Sequence, residues 1–165
     1  IGAARSAALC YKRIAIIDFD VHHGNGCADI LRHVDLPCFY ISTHQQHHYP
    51  NTGVTRENID QKILNVPLPA RSSGSDICAE YTDKIFPALH RYKPYFVFIS
   101  AGFDGHKDDP YGDFNLTEQD YNWLSKQLYE VAQQYADGRL VSVLEGGYDL
   151  DALKGSYAAH IDAFQ

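Results

Sequence analysis

Residues 13–26, RIAIIDFDVHHGNG, join a short apolar run to a cluster of acidic and imidazole side chains. The isoleucine-rich part has the composition of a strand that is buried on both faces of a parallel sheet. Further apolar runs follow at 37–42, 94–101 and 139–145, and segments with helical periodicity separate them. This alternation predicts an α/β domain with a mostly parallel sheet and helices on both faces.

The remaining predicted elements complete this pattern. Helices are expected at 2–11, 27–33, 74–91, 117–136 and 150–164, and a shorter strand at 62–66. Asp76 is the predicted N-cap of the third helix, and Thr117 with Asp120 resembles a capping box at the start of the fourth. The polar segment 44–60 is expected to be a loop. The 165 residues suit one domain.

Polar residues follow each of the strong strands. They are Asp18, Asp20 and His22, then Ser42, Thr43 and His44, then Asp104, and finally Tyr148. The carboxyl ends of parallel strands lie at one edge of a sheet, and ligands of such sheets bind beyond that edge. The sequence therefore predicts a binding site where these side chains converge.

Asp18, Asp20 and His22 alternate with apolar residues, so in an extended segment they project from the same face. Two carboxylates at a buried strand end repel each other and lose hydration, and a bound cation offsets both costs. An imidazole with two carboxylates suits a catalytic divalent metal, with Zn²⁺ expected first and Fe²⁺, Co²⁺ or Mn²⁺ as alternatives. A solvated, histidine-rich loop is the other interpretation of this motif alone.

Composition limits the function in other ways. The net charge is −7 and no stretch is rich in Lys or Arg, which disfavours direct nucleic-acid binding and favours cationic substrates. No apolar run reaches about 18 residues, so no membrane association is expected. None of the four cysteines belongs to a Cys-x-x-Cys pair, so reduced thiols are expected. We therefore expect a cytoplasmic protein, or a nuclear one in a eukaryote.

Three longer motifs carry a resemblance to a known family. They lie at 17–26 (IDFDVHHGNG), 100–110 (SAGFDGHKDDP) and 144–148 (LEGGY). In these motifs and in their order the chain is similar to the histone deacetylase family, which includes acetylpolyamine amidohydrolases and acetoin-utilization proteins. Asn25 and the Glu-Gly-Gly-Tyr form resemble class II and bacterial members. The resemblance implies an arginase/deacetylase-like fold.

The resemblance also implies a reaction and its main residues. Asp20, His22 and Asp104 correspond to the ligands of the catalytic metal. Tyr148 corresponds to the tyrosine that donates a hydrogen bond to the developing oxyanion. The implied reaction is hydrolysis of an N-acyl amide, foremost acetyl-lysine, by metal-activated water. The implied partners are an acetyl-lysine protein or peptide, or an acetylated small amine.

Other family sites are carried over in the same way. Asp18 corresponds to the carboxylate that orients a catalytic histidine, and Asn25 is placed with it in the shell of residues behind the metal ligands. A monovalent cation, usually K⁺, is implied at Asp18, Asp20, His22, Ser42 and Thr43. The substrate tunnel is implied at Tyr49, Gly102, Phe103, Gly146 and Gly147. Asn51 stands where the family usually has glycine.

One part of the family's active site is not found in this sequence. The tandem histidines that supply the general base and acid lie in an upstream Gly-His-His segment, which residues 1–165 do not contain. We therefore expect a single partial catalytic domain, its C-terminal half, that is inactive or binds metal poorly by itself. Its uncovered sheet edge is expected to favour a homo-oligomer or an upstream half-domain. His23 and His106 are expected to make structural hydrogen bonds, and His47 and His48 to be solvated.

Two alternative functions remain open at this point. An arginase-like ureohydrolase would need another carboxylate after His22, where the chain has Gly24. A non-catalytic remnant that binds metal or acyl-lysine would share every motif above, although the retained Tyr148 disfavours it. A nucleotide-binding domain is a poorer match, because residues 24–26 lack the third glycine of the dinucleotide fingerprint.

Overall fold

The computed structural model describes residues 1–165, apart from the side chain of residue 6. Its strands are β1 (Ile14–Asp18), β2 (Cys38–Gln45), β3 (Ile63–Leu68), β4 (Phe96–Ala101) and β5 (Leu140–Leu144). Its helices are α1 (Gly2–Ala7), α2 (Asn25–His33), α3 (Gly74–Glu80), α4 (Phe86–Tyr92), α5 (Glu118–Ala136) and α6 (Leu150–Asp162). A 3₁₀ turn lies at Thr55–Glu57 and a π-helical stretch at Tyr81–Ile85.

The strands form one sheet in the order β3-β2-β1-β4-β5, and all neighbouring pairs are parallel. β1 lies at the centre and is buried along its whole length, as its run of isoleucines predicts. Ile14 and Ile16 pack under α1 and α2 on one face, whereas Ala15 and Ile17 pack under α3 to α6 on the other. The predicted α/β class with helices on both faces is confirmed.

The N-termini of α3 and α5 can be compared with the N-caps predicted from the sequence. Thr117 and Asp120 form a full capping box at α5, as predicted. At α3 the N-cap is Ser73, and Asp76 is the third helical residue, whose carboxylate accepts a hydrogen bond from the Ser73 backbone N–H at 2.7 Å. The prediction that Asp76 is the cap was therefore wrong by three positions, because both residues of a capping box carry side chains that favour helix starts.

The long predicted helix at 74–91 is present, but it contains the π-helical stretch between α3 and α4. Pro87 lies two positions after this stretch and has no backbone N–H to offer the preceding turn, so a local change of the hydrogen-bond ladder is expected there. None of the helices in the described part of the chain is long and apolar enough to cross a membrane.

The two edges of the sheet differ in how well they are covered. β3 is mostly buried, whereas β5 leaves Val141, Val143 and Leu144 exposed by 41%, 46% and 50%. The side chain of Ser142 contacts α6 through His160, so α6 covers that face of β5 at Ser142, although Leu144 at the end of the same face stays half exposed. The edge of β5 and its other face are therefore apolar surface that the described elements leave open.

Candidate active site

Three predicted metal ligands meet beyond the ends of β1 and β4. Asp18 and Ser100 are register partners at these ends, so the segments that follow them run side by side. The Nδ1 atom of His22 lies 3.1 Å from Asp20 Oδ1 and 3.0 Å from Asp104 Oδ2. One ligand atom from each residue lies within 4.8 Å of the others, which is the arrangement that a single metal ion requires.

Backbone amides fix the two carboxylates in this position. Val21 N–H donates to Asp104 Oδ1 at 2.9 Å, and Gly146 N–H donates to Asp20 Oδ2 at 2.9 Å. These bonds use one oxygen of each carboxylate and leave the other beside His22. The donors lie in the loops after β1 and β5, and Asp104 lies in the loop after β4. The loops that follow three strands therefore fix the geometry of the site.

Two glycines make room for the carboxylates. A Cβ atom on Gly102 would lie 2.3 Å from Asp20 Oδ2, and one on Gly146 would lie 2.1 Å from Asp104 Oδ2. Any larger residue at either position would push a ligand out of place. Gly102 and Gly146 therefore pack directly against the carboxylates and form the floor of the site.

The electrostatics of this cluster favour a cation at its centre. Hydrogen bonds to Asp104 and Asp20 raise the pKa of His22 to about 10. Burial raises the pKa of Asp104, and the neighbouring negative charge of Asp20 adds to this effect. Burial also opposes ionisation of Asp20, but hydrogen bonds from His22 and Gly146 outweigh it and lower its pKa. Positive charge therefore stabilises the two buried carboxylates. A divalent metal would supply this charge in place of the proton on His22.

Asp18 lies behind the ligands. Its carboxylate is buried, accepts a hydrogen bond from the Tyr40 hydroxyl at 2.7 Å, and has a pKa that burial raises to about 8. A recess of about 170 Å³ opens beside it, lined by acidic, imidazole and thiol groups that include Glu145 and Cys27. The predicted role of Asp18, to orient a catalytic histidine, stays a prediction.

An aromatic cleft of about 490 Å³ opens above His22, and its volume suits a small organic ligand. Its lining consists of His22, His48, Tyr49, Tyr111 and Tyr148. The rings of Tyr111 and Tyr148 meet edge to face at 4.9 Å, and those of His22 and His48 stack at 4.9 Å. The three tyrosines are exposed, so this wall is open to solvent on its outer side.

The five predicted tunnel residues fall into three groups. Tyr49 lines the cleft as predicted, and Gly102 and Gly146 lie at its floor against the carboxylates. Phe103 does not line the cleft, because it is buried in the core against Phe19 and Tyr121. Gly147 packs towards Leu153 of α6 at a φ of 133°, so it serves the turn before that helix.

Two further predictions need correction. Asn25 is the exposed first residue of α2, and within the described residues its side chain makes no hydrogen bond to the metal ligands. His48 was expected to be solvated, but it stacks on His22 and its Nε2–H donates to the Tyr111 carbonyl at 3.0 Å. Its cleft position depends on the fold of the 46–51 loop, which carries no local signal in the sequence.

The remaining histidines of this region are structural. His23 is buried and pairs with the Thr52 hydroxyl at 2.8 Å, and the backbone N–H of Asp108 donates to His106 at 3.2 Å. Both match the prediction. His44, which lies on β2 and not in the predicted loop, donates from Nε2 to the Gly53 carbonyl at 3.0 Å, and its Nδ1 pairs with the Ser42 hydroxyl at 2.9 Å.

Residues of the predicted monovalent-cation site also lie together. Asp18 and Ser42 are register partners on β1 and β2, and the Thr43 hydroxyl lies 3.4 Å from the Asp18 carbonyl. Asp20 and His22 continue from the same strand. The cation site itself stays a prediction.

The sequence reasoning missed Tyr111 and Asp109. Tyr111 follows the Asp-Pro pair at the end of a recognised motif, and an exposed aromatic in such a loop could have been taken as a cleft residue. Asp109 is buried and accepts hydrogen bonds from two separate loops. No spacing in the sequence points to those partners. Asn51 has a φ of 62°, in the left-handed region where glycine is common and asparagine is tolerated.

A parallel α/β sheet with one imidazole and two carboxylates beyond its strand ends is an arginase/deacetylase-like fold with a candidate metal site. The family model described as "Histone deacetylase domain" matches residues 1–164. The chain therefore belongs to the histone deacetylase family.

Individual relatives and solved structures agree with this assignment. The chain is 43% identical to a type-2 histone deacetylase 2 of Dictyostelium discoideum over 86% of its length, and 39% identical to a probable deacetylase of Archaeoglobus fulgidus over 86%. It superposes on an acetylpolyamine aminohydrolase from Burkholderia pseudomallei with a TM-score of 0.87 at 27% identity over 98% of the chain. It spans only 9% and 40% of those two relatives and 47% of that structure.

Proposed function

We propose that this chain is the metal-bearing part of an enzyme that hydrolyses N-acyl amides, most simply acetyl-lysine in a protein or peptide. The observation that carries the proposal is the convergence of Asp20 and Asp104 on His22, which lines a cleft together with Tyr148. Family membership supports a hydrolase of the deacetylase type.

Asp20, His22 and Asp104 would hold the metal, which we propose to be Zn²⁺, with Fe²⁺, Co²⁺ or Mn²⁺ able to bind the same donor set. When bound, such a cation polarises an amide carbonyl and makes a water molecule more acidic. Three protein ligands leave positions open, as a catalytic site needs and a structural site does not. A K⁺ ion beside Asp18, Ser42 and Thr43 is proposed as a structural companion.

Tyr148 supplies the hydrogen bond to the oxyanion. Burial and the negative charges of Asp104 and Asp20 raise the pKa of its phenol, so it stays protonated at neutral pH. It can therefore donate a hydrogen bond when the carbonyl oxygen of the substrate gains negative charge. Donors of this kind are typically worth roughly 10²–10³ in rate.

The general base is proposed to come from outside these 165 residues. His22 is assigned to the metal, His44 uses both ring nitrogens in internal hydrogen bonds, and His23 is buried with its Nδ1 paired to Thr52. The recess beside Asp18 has room for a further polar side chain next to a buried carboxylate. An imidazole from another segment of a longer protein could occupy it, and the chain by itself is then expected to be inactive.

The aromatic cleft suits the alkyl chain of the substrate. Tyr49, Tyr111 and Tyr148 offer flat, partly apolar walls, and such rings also attract a cationic group at the outer end of the chain. The net charge of −7 favours a cationic substrate further. An acetylated small amine is therefore the second substrate class to test.

Metal titration and turnover test the proposal in two stages. The chain should bind one Zn²⁺ in calorimetry, and Asp104→Asn should abolish this binding. Asp113→Asn is the control and should leave binding unchanged, because Asp113 is an exposed carboxylate of the same loop. The longest natural product that contains the chain should deacetylate an acetyl-lysine peptide. Metal binding without turnover in that product would support the non-catalytic remnant instead.

A further inference from the structure

A single buried carboxylate joins the two loops that carry facing tyrosines of the cleft. Asp109 is only 8% exposed. Its Oδ1 accepts hydrogen bonds from the backbone N–H groups of Tyr111 at 2.9 Å and Gly112 at 3.3 Å. Its Oδ2 accepts from the backbone N–H groups of Tyr148 at 2.7 Å and Asp149 at 3.3 Å. Each oxygen therefore serves one loop.

This pattern of four hydrogen bonds is one that few side chains other than a carboxylate can accept at position 109. A carboxylate has about four lone-pair sites, and four backbone donors fill them here. Among the described residues no Lys or Arg pairs with it, so its charge is balanced by backbone amides alone. An amide side chain of the same shape could accept from one loop only, and its NH₂ group would face the N–H donors of the other.

The loop that Asp109 fixes also lies against the metal-ligand segment. A Cβ atom on Gly112 would lie 1.8 Å from the backbone carbonyl oxygen of Asp104, so these two backbones are in direct contact. The carbonyl of Tyr111 accepts a hydrogen bond from His48. The ring of Tyr111 meets the ring of Tyr148 edge to face, with 4.9 Å between the ring centroids. Asp109 thus connects the metal ligands, the cleft wall and Tyr148.

We propose that Asp109 is a positioning residue, which holds the Tyr148 and Tyr111 loops in register so that the Tyr148 phenol faces the reacting carbonyl. This inference rests on the proposed function, in which Tyr148 stabilises the oxyanion. The carboxylate of Asp109 makes its hydrogen bonds with backbone N–H groups and none with Asp20, His22 or Asp104. We expect its effect on the reaction to pass through Tyr148, and an unchanged Zn²⁺ affinity would exclude a route through the contact of Gly112 with Asp104.

A double-mutant cycle in the longest natural product tests this route. Asp109→Asn should lower kcat by roughly 10–100-fold, less than the loss of the oxyanion donor itself, and leave KM nearly unchanged. In the Tyr148→Phe background the same substitution should change kcat by less than about threefold, because nothing is left to position. Equal losses of kcat in both backgrounds would overturn the proposal. Asp113→Asn is the matched control and should have no effect in either background.

Measurements that need no turnover separate this inference from the proposed function. In wild-type protein the Tyr148 and Asp149 amides should be protected from hydrogen exchange, and Asp109→Asn should remove that protection while Zn²⁺ affinity stays within threefold. Unchanged protection would refute the role of Asp109 even if the enzyme is active. If Tyr148→Phe leaves turnover unaffected but the protection pattern responds to Asp109, the assignment of Tyr148 fails and the positioning contact stands.

A second variant covers the case in which Asp109→Asn does not fold. Replacing Tyr148 by its α-hydroxy acid removes one backbone N–H and keeps the phenol. The expected result is a fall in kcat of about threefold or more, since a hydrogen bond to a charged acceptor is lost, with Zn²⁺ affinity unchanged. A kcat equal to wild type would contradict the proposal.

Discussion

His22 and Asp104 lie 82 positions apart in the sequence, yet His22 Nδ1 is 3.0 Å from Asp104 Oδ2. The contact exists because β1 and β4 are parallel neighbours, so the loops after them leave the sheet side by side. Asp104 is fully buried and His22 is only partly exposed. A buried carboxylate with a single imidazole partner is costly without further positive charge, and this is the physical reason to expect a metal.

The glycine floor of the site gives the first prediction. Gly146→Ala should reduce Zn²⁺ affinity at least tenfold, because the new methyl group would lie 2.1 Å from Asp104 Oδ2 and 2.6 Å from Asp20 Oδ2. Isothermal titration calorimetry measures the change. Gly26→Ala is the control, since a Cβ there meets nothing within 4 Å, and it should leave affinity unaltered. Equal affinities for the two variants would show that Gly146 does not set the ligand geometry.

The phenol of Tyr148 gives the second prediction. Tyr148→Phe should lower kcat roughly 10²–10³-fold in an active full-length product, because the oxyanion loses its protein hydrogen-bond donor. Zn²⁺ affinity should not change, since Tyr148 is not a ligand. Tyr95→Phe alters an exposed phenol at the opposite end of β4 and serves as the control. A Tyr148→Phe enzyme with wild-type kcat would remove Tyr148 from the mechanism.

The acid stability of the chain gives the third prediction. Burial lowers the pKa of His160 to about 4, and its ring is held between Ser125 and Ser142 at 2.6 Å and 2.8 Å. The unfolded chain takes up this proton near pH 6.5, whereas the native chain does not until about pH 4. The contribution of His160 to stability is therefore complete above pH 6.5 and falls below it, by at most about 1.4 kcal/mol per pH unit.

Urea unfolding of the metal-free chain between pH 4 and 7 measures that contribution as the difference in slope between wild type and His160→Gln, because Asp18, whose pKa burial raises to about 8, adds the opposite slope to both. His160→Gln should make the decline shallower, although burial also lowers the pKa of His44 to about 4, so part of the slope will remain. His33→Gln, at an exposed position on α2, should leave the slope as it is in wild type. Identical slopes for wild type and His160→Gln would contradict the assignment.

Most of the site that could be predicted from the sequence consists of residues that directly follow strands. The run at 14–17, followed by alternating Asp18, Asp20 and His22, is a local signal, and parallel topology then brings Asp104 to the same edge. Those inferences need only the strand assignments and a general rule about parallel sheets. The family resemblance added Tyr148, whose position after β5 follows from the same rule.

The errors concern side chains whose direction depends on tertiary packing. Phe103 and Tyr111 both lie in the β4–α5 loop, yet Phe103 packs in the core and Tyr111 lines the cleft. Burying an aromatic ring is favourable at either position, so composition does not distinguish them. His48 and Asp109 find partners 63 and 39 positions away, and no local pattern specifies such contacts.

The open edge of β5 gives the last prediction. Val141, Val143 and Leu144 expose apolar surface beside an unpaired strand edge, which is the kind of edge that pairs with another chain. The 165-residue chain should therefore associate as its concentration rises in sedimentation-velocity experiments. Val143→Lys places a charge on this edge and should shift the distribution towards monomer, whereas Ile30→Lys, at a similarly exposed apolar position on α2, should not. If the association instead responds to Ile30→Lys, the interface lies on the helical face and β5 is not the edge that pairs. If an upstream half-domain covers β5 in a longer product, that product should remain monomeric at the same concentrations, because the same edge cannot pair twice.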